Sequence, residues 1–568
     1  MNNFFNHIAS YFFETFKNYL PLRQKLNFKI NLKNNWFFPI SALFFFLLNA
    51  TLTSGYIIGI ILSFIISIII ASQITSIFSY IKKQNKYLRL FSLINACGIC
   101  LAGQNTFYKE WSLSSKTQAL ENMLSLPFDI SFVISFLFAL LAIYFVYFFV
   151  ITFWKNIISL FRKVKIFNNI EKYEKITYLS LIILSLGFMI FSFSNSQAFY
   201  GTDFLYDTIY TSDSTSIVRD NAYINLTHTE NDIRQPLFAI FSAPFVGIPY
   251  FISTLINANE CVHAILINIV QIILLFIANF MLTKIMKLSP LKRICFMLIA
   301  SCTYMNLLFT LMMEQYIISY FWLIFCILII VERKQSQRVL IWGAGGTLIT
   351  SLSLLPFFSK QNLFKNFKEW FSDMFHYVLE FITLLLIFCR FDSLFYFINN
   401  LFALSSFTGK NITFLDKLHQ YIEFIFSCFV SPNAGIESTA IEHISWQINT
   451  ITEINVFGIV ILLLVIISAI WNRDKKSSLL ASYWVLFSML ILLIIGWGTA
   501  ENGLILYSLY FGWAFLLLLF QLIEKIENKF NKKFIIPSFT IIIVILLLMN
   551  NIPSIIEMLN FAINNYPV

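Results

Sequence analysis

The residues best equipped for chemistry are carboxylates gathered between Asn195 and Leu237: Asp203, Asp207, Asp213, Asp220, Glu230 and Asp232, with Arg219, His228 and Arg234 interspersed. A carboxylate can take the proton of an attacking hydroxyl, and an arginine can stabilise a departing anion. A histidine, with an ordinary pKa of roughly 6.5, is an alternative proton acceptor, so His228 stands beside Asp213 in that role. Two other polar patches interrupt apolar runs, Met313-Glu314-Gln315-Tyr316 and Trp497-Gly498-Thr499-Ala500-Glu501-Asn502. An acid at or below a membrane surface is costly to hold, which makes Glu314 a functional candidate. The bland alternatives are a solvated turn for Glu314 and loop charges or helix caps for the island acids other than Asp213.

The elements that must position these residues are membrane helices. Of 568 residues, 58% are hydrophobic and 12% charged, against about 25% charged in soluble domains. The apolar runs of about 17 to 25 residues fit helices crossing roughly 30 Å of hydrocarbon, not barrel strands that alternate every second residue. The fold class is therefore an all-α polytopic membrane protein. The net charge of +10 is spread in short Lys and Arg clusters between apolar runs, as expected of cytoplasmic-side anchors in a bilayer, with no nucleic acid as partner. Cys97 and Cys100 form a C-x-x-C with no second pair to complete a zinc site and are expected to be buried thiols. Residues 1–35 lack a short apolar core before small residues, so no cleavable signal is expected there. Phe4 to Leu20 suits an amphipathic helix on the cytoplasmic face.

The basic clusters set the orientation. Lys17 to Lys33, Lys82 to Arg89, Lys155 to Lys175, and Lys284 to Arg293 are each assigned to the cytoplasmic side, which puts the N-terminus inside the cell membrane. Trp36 to Leu52, Tyr56 to Ala71, Phe91 to Gln104 and Ile130 to Trp154 then form a four-helix extension within 36–175. Ile176 to Phe193 travels outward, and parity places the acidic island on the outer face. Ala264 to Leu282 is the next full crossing. Pro236 to Leu255, carrying Pro244 and Pro249, is expected to be an interfacial or half-inserted helix broken at the prolines. Cys295 to Val331 reads as two short crossings with Glu314 at or just under the outer surface. Val339 to Phe357, Tyr377 to Cys389 and Leu394 to Leu404 complete the less regular middle. Ser431 to Thr452, Gly498 to Asn502 and the tail after Asn551 are expected outside, and Asn472 to Lys476 and Lys525 to Lys533 inside. The total is about twelve to thirteen spans by length.

From Ile176 onward the chain resembles the GT-C class of membrane glycosyltransferases, which includes aminoarabinose transferases and protein O-mannosyltransferases. The resemblance rests on an outward span followed by a large external loop (195–237) carrying Thr211-Ser212-Asp213-Ser214 and, further on, Asn231-Asp232-Ile233-Arg234-Gln235-Pro236-Leu237. In the class this second element is a His/Lys-Pro-Pro-Leu-like sequence, and here Arg234-Gln235 replaces its first two residues. The resemblance implies a GT-C-like core over 176–568, a second external loop over 409–454, Asp213 as catalytic base, and Glu314 as the second acid at the outer end of a helical hairpin. It further implies a sugar donor linked to polyprenyl phosphate and a cell-envelope glycan or teichoic-acid-like acceptor. In that setting Arg219, Asp220, His228, Arg234, Gln235, Glu501 and Asn502 are expected to bind substrate. Arg219 and Arg234 face the departing phosphate, or alternatively pair with Asp220 and Asp232.

Asp213 and Glu314 are also the residues for a divalent cation, Mg²⁺ or Mn²⁺, if one is used, since hard cations take oxygen ligands. His419 and His443 are candidates for acceptor contact, and His7, His263 and His376 are expected to be structural. Two other functions compete. An O-antigen-type polysaccharide polymerase or ligase would depend on outer-loop Arg and His residues. A lipid-linked sugar transporter or flippase would carry polar residues buried at mid-membrane and paired repeats, and the apolar runs show few such residues and no duplication.

Overall fold

Helices dominate because long apolar runs in lipid must satisfy every backbone N–H and C=O internally. The computed structural model describes residues 74–105, 121, 127–201, 208–212, 214–219, 222–224, 237–332, 366–372, 375, 407–438, 444–500 and 502–568. Among these, seven helices are long and apolar enough to cross a membrane: Ile143–Lys163, Lys172–Asn195, Phe238–Leu255, Glu260–Ile285, Lys476–Ile495, Leu504–Phe530 and Ile535–Asn565. The pair Pro290–Cys302 and Tyr304–Leu311, bent by 63°, adds an eighth if it is one span. The protein is thus mostly helical and multi-pass. The expected spans at Trp36 to Leu52, Tyr56 to Ala71, Val339 to Phe357, Tyr377 to Cys389 and Leu394 to Leu404 lie outside the described residues, as does Phe4 to Leu20.

Local sequence explains where helices begin and stop. Asn259, Thr413 and Asn455 accept hydrogen bonds from Val262, Asp416 and Gly458 backbone N–H groups at 2.9, 3.2 and 3.1 Å, capping Glu260–Ile285, Phe414–Ser427 and Val456–Trp471. Gly496 (φ 77°) and Asn531 (φ 52°) stop helices in the left-handed region.

The chain forms two compact units: 1–160 with 221–256 and 336–400, and 161–220 with 257–335 and 401–568. In the first, Lys86–Asn105 packs tightly against Phe238–Leu255. Gly98 and Gly247 lie at the crossing, where a Cβ on Gly98 would run into the Gly247 carbonyl and one on Gly247 into Asn95. Such small-residue crossings let membrane helices approach through their backbones. The expected break at the prolines in 236–255 is corrected. Phe238–Leu255 is one helix with Pro244 and Pro249 inside it, largely buried, and long enough to cross. The Asn95 amide donates to the Pro244 carbonyl within this helix (2.6 Å), and Ser242 Oγ reaches out of it to donate to the Tyr223 carbonyl (2.6 Å). Cys97 and Cys100, on the same pair, are free and half-buried, not fully enclosed.

In the second unit, Gln315–Val331 is buried from Gln315 through Ile330. Val456–Trp471 is equally apolar yet buries only Gly458, Val465 and Ser468, leaving the rest for lipid. Segments expected on one side of the membrane gather at one end of this unit. Ser196 Oγ donates to the Ala562 and Tyr566 carbonyls (both 2.8 Å), the Ser431 amide to Asn551 (2.8 Å), and Asn502 to the Ile448 carbonyl (3.1 Å). The two-stranded sheet β1 (Ala434–Ser438) and β2 (Ile444–Ile448), antiparallel with Ile436 opposite Trp446, lies at this end, and residue 209 bridges to Trp446 on the far side of β2. The C-terminal tail after Asn551 is helical, its helix continuing through Pro553 to Asn565.

The segments expected inside are joined by charge. Arg293 forks onto Glu174 with both contacts at 2.7 Å, and Lys292 reaches Glu527 (2.9 Å) and Glu524 (3.5 Å), to which Lys475 also binds (3.1 Å). These pairs bring the segments at 171–174, 292–293, 475 and 524–527 together.

Candidate functional site

Glu314 ends the bend between Tyr304–Leu311 and Gln315–Val331 in extended conformation (φ −142°, ψ 144°), and its side chain does not cap the helix that follows. Its carbonyl accepts from Gln271 Nε2 at 2.8 Å, while Asn268 Nδ2 donates to the Thr310 carbonyl at 3.1 Å. Gln271 lies about 16 Å along the Glu260–Ile285 helix from its start, at 1.5 Å per residue. Glu314 is 0% exposed. Its position is therefore sunk within the bundle rather than at the surface, and the reading of Glu314 as a solvated turn is overturned. The 63° bend between Pro290–Cys302 and Tyr304–Leu311 precedes it in the chain.

The island approaches through strained backbone. Tyr210 (φ 48°) and Thr211 (φ 55°) are consecutive non-glycine residues in the left-handed region, each costing of order 1–3 kcal/mol, with the β-branched threonine the more unusual. Three bonds offset the strain: the Tyr210 amide donates to the Trp446 carbonyl (3.0 Å), Tyr210 OH pairs with Tyr304 OH (2.7 Å), and Trp446 Nε1 donates to Tyr210 OH (3.2 Å). Burial pushes the Tyr210 hydroxyl up to about 12, against the opposing effect of those hydrogen bonds. The Ser214–Arg219 helix begins three residues after this anchor.

The third element is the turn after Ile495. Gly498 (φ 80°) donates its amide to the Phe407 carbonyl (2.9 Å), Trp497 stacks on Phe407 with ring centres 5.5 Å apart, and Trp497 Nε1 donates to Tyr507 OH (3.0 Å). Two contacts bring the carboxylate-bearing segments to this turn. A Cβ on Gly503 would lie 3.3 Å from Thr211 Oγ1, and Tyr316, two residues past Glu314, meets Tyr507 at 5.6 Å between ring centres and Tyr510 at 5.2 Å. Residues two positions from Asp213 and from Glu314 thus abut the same short segment, 503–510.

Asp213, Asp220, His228, Arg234, Gln235 and Glu501 lie outside the described residues, as do Asp203, Asp207, Glu230, Asp232, His7, His376 and His443. Arg219 is described only as the last residue of its helix. Asn502, in left-handed conformation (φ 53°), uses its amide on β2. His419 is half-buried on Phe414–Ser427, and His263 is half-buried on Glu260–Ile285. No group of three or more His, Cys, Asp or Glu side chains suited to a metal occurs among the described residues.

Polar residues inside the apolar runs are the feature that the sequence reading passed over. Asn268, Gln271, Asn279 and Thr283 on Glu260–Ile285 are all buried, as are Asn306, Thr310, Gln315 and Ser319 on the hairpin. Their spacing was the available signal: positions 268, 271 and 279 share one helix face. Part of this set closes on itself. Asn279 Nδ2 donates to Asn306 (2.7 Å), Tyr320 OH to Asn279 (2.8 Å), and Asn306 Nδ2 to Thr303 (2.9 Å). A network satisfied in this way fastens helices together. In comparisons with known proteins, no family model, curated protein or solved structure matches this chain.

Proposed function

We propose that the protein is a membrane glycosyltransferase that moves a sugar from a polyprenyl-phosphate donor to a cell-envelope glycan or teichoic-acid-like acceptor on the outer face, with a GT-C-like core. Asp213 removes the acceptor hydroxyl proton as that oxygen attacks the anomeric carbon, while the bond from that carbon to the phosphate oxygen breaks and the lipid phosphate leaves. General-base assistance of this kind contributes typically about 10²–10⁴-fold. Glu314 orients the acceptor from within the bundle, and Arg219 balances the charge that develops on the phosphate. The observation that carries the reading is the strained Tyr210–Thr211 pair, held by Trp446 and Tyr304 immediately ahead of Asp213. Strain of this kind gathers where a loop must hold a reacting group in place.

A second reading, a lipid-linked sugar transporter, is favoured by the buried Asn268, Gln271, Asn279 and Asn306. The closed hydrogen bonding of Asn279 and Asn306 counts against it, since groups lining a path must be free to exchange partners. Purified protein in vesicles containing a lipid-linked sugar separates the two. Acceptor-dependent release of polyprenyl phosphate supports transfer, whereas movement of the intact lipid-linked sugar between leaflets without release supports transport.

A further inference from the structure

Lys417 has no place in the reaction above, yet the fold makes room for it. It lies on the first turn of Phe414–Ser427, and its Nζ donates to the Thr408 carbonyl at 2.9 Å. An ammonium has three N–H donors, and this is the one hydrogen bond that the Lys417 ammonium makes among the described residues. Its tip crosses Gly496, where a Cβ would lie 2.5 Å from Nζ, and Gly496 is also held at φ 77°. A side chain at 496 would therefore both strain the turn and displace the ammonium.

Gly496 directly follows the Lys476–Ile495 span, so the cation stands at the level where that span ends. Close by, Glu423 of the same helix accepts from Asn455, the cap of the apolar helix Val456–Trp471, at 2.8 Å. Around this level the protein presents apolar side chains to its exterior. Phe414 and Leu415 are 64% and 58% exposed, and Ile494 and Ile495 on the adjoining π-helical stretch Met489–Ile495 are 63% and 42% exposed. One turn along from Lys417, Gln420 keeps Oε1 buried with no hydrogen-bond partner while its Nε2 reaches the Thr499 carbonyl at 3.5 Å.

A cation at the end of a span, a buried acceptor one helical turn away and exposed apolar side chains along the span end match one amphipathic shape. We propose that Lys417 and Gln420 form a binding site for the headgroup of an anionic bilayer phospholipid. The phosphate contacts the Lys417 ammonium, a headgroup hydroxyl donates to Gln420 Oε1, and the acyl chains lie along Ile494, Ile495, Phe414 and Leu415. Charge complementarity selects this occupant over a zwitterionic lipid, because each Lys near an anionic surface favours association about fivefold. The site does not depend on the proposed glycosyl transfer.

Native mass spectrometry of the full chain in micelles, titrated with phosphatidylglycerol or phosphatidylcholine of matched chain length, tests it. The expected result is retention of phosphatidylglycerol over phosphatidylcholine by about fivefold, falling to near parity in Lys417→Ala and in Gly496→Ala and surviving in Lys417→Arg. The arginine variant and a circular dichroism melt guard against misfolding. Unchanged preference in a folded Lys417→Ala overturns the proposal. So does displacement of the phospholipid by millimolar inorganic phosphate, which marks a site for soluble anions, or by equimolar polyprenyl phosphate, which marks a donor subsite.

Discussion

Removing the Arg293 guanidinium is expected to unfasten the charged end of the second unit. The side chain makes four bonds: Nε and Nη2 to the two Glu174 oxygens at 2.7 Å each, Nη1 to the Leu288 carbonyl at 3.1 Å, and Nη2 to the Asn169 carbonyl at 2.8 Å. These tie the connection before Lys172–Asn195 to the turn before Pro290–Cys302. Glu174 is 0% exposed and Arg293 6%, so the survivor of a single deletion cannot simply return to water. In Arg293→Met the carboxylate keeps the Tyr178 hydroxyl (3.0 Å) and the Glu171 amide (2.9 Å) but loses its counter-charge. The cost expected for breaking such a pair is about 3–5 kcal/mol. Adding Glu174→Gln removes the uncompensated charge, so the double variant should recover part of the loss, with a coupling of about 1–3 kcal/mol. Unfolding by SDS titration in mixed micelles, followed by circular dichroism, measures all four corners of the cycle. A loss under about 1 kcal/mol for Arg293→Met, or additive single variants, would refute the argument that the pair is shielded and bidentate.

Two more outcomes follow from packing and burial. Gly247→Ala puts a methyl group into Asn95, so the Lys86–Asn105 and Phe238–Leu255 pair should lose about 1–3 kcal/mol in the same titration, while Gly187→Ala, with nothing within 4 Å, should change little. Tyr210 is pushed up to about 12 by burial, from an ordinary value of roughly 10. The folded protein then holds a proton that the unfolded chain gives up, so this contribution is intact below about pH 10 and is lost as pH rises towards 12. Tyr210→Phe should flatten the stability profile in that window at a cost of about 1 kcal/mol in hydrogen bonding, read from melts collected across it.

The helical membrane class was legible because lipid imposes the simplest constraint, long apolar runs with basic loops. Which runs face lipid was not: Gln315–Val331 is buried throughout and Val456–Trp471 scarcely at all, although both are apolar all round. Pro244 and Pro249 read as helix breakers, yet the helix runs through both, packed on Lys86–Asn105 at the Gly98 and Gly247 crossing, a partner that local sequence cannot reveal. Glu314 stood out as an acid in an apolar run, and its depth was hidden because it depends on the bend at Thr303 and on Gln271. The strain at Tyr210 and Thr211 left no mark in residue type, since neither is a glycine. Lys417 was hidden for the opposite reason, as one lysine among many whose meaning comes from Gly496.

The central claim is that Asp213 acts as the base in glycosyl transfer, and its rate with the carboxylate neutralised is the most direct test. Asp213→Asn keeps size and polarity but cannot take a proton, so transfer from a polyprenyl-phosphate sugar to acceptor should fall by about 10²–10⁴-fold, with donor binding and stability retained. A folded Asp213→Asn protein that transfers within about tenfold of the parent rate, while Arg219→Ala abolishes transfer, would contradict the account and favour a polymerase or ligase chemistry built on outer-loop cations.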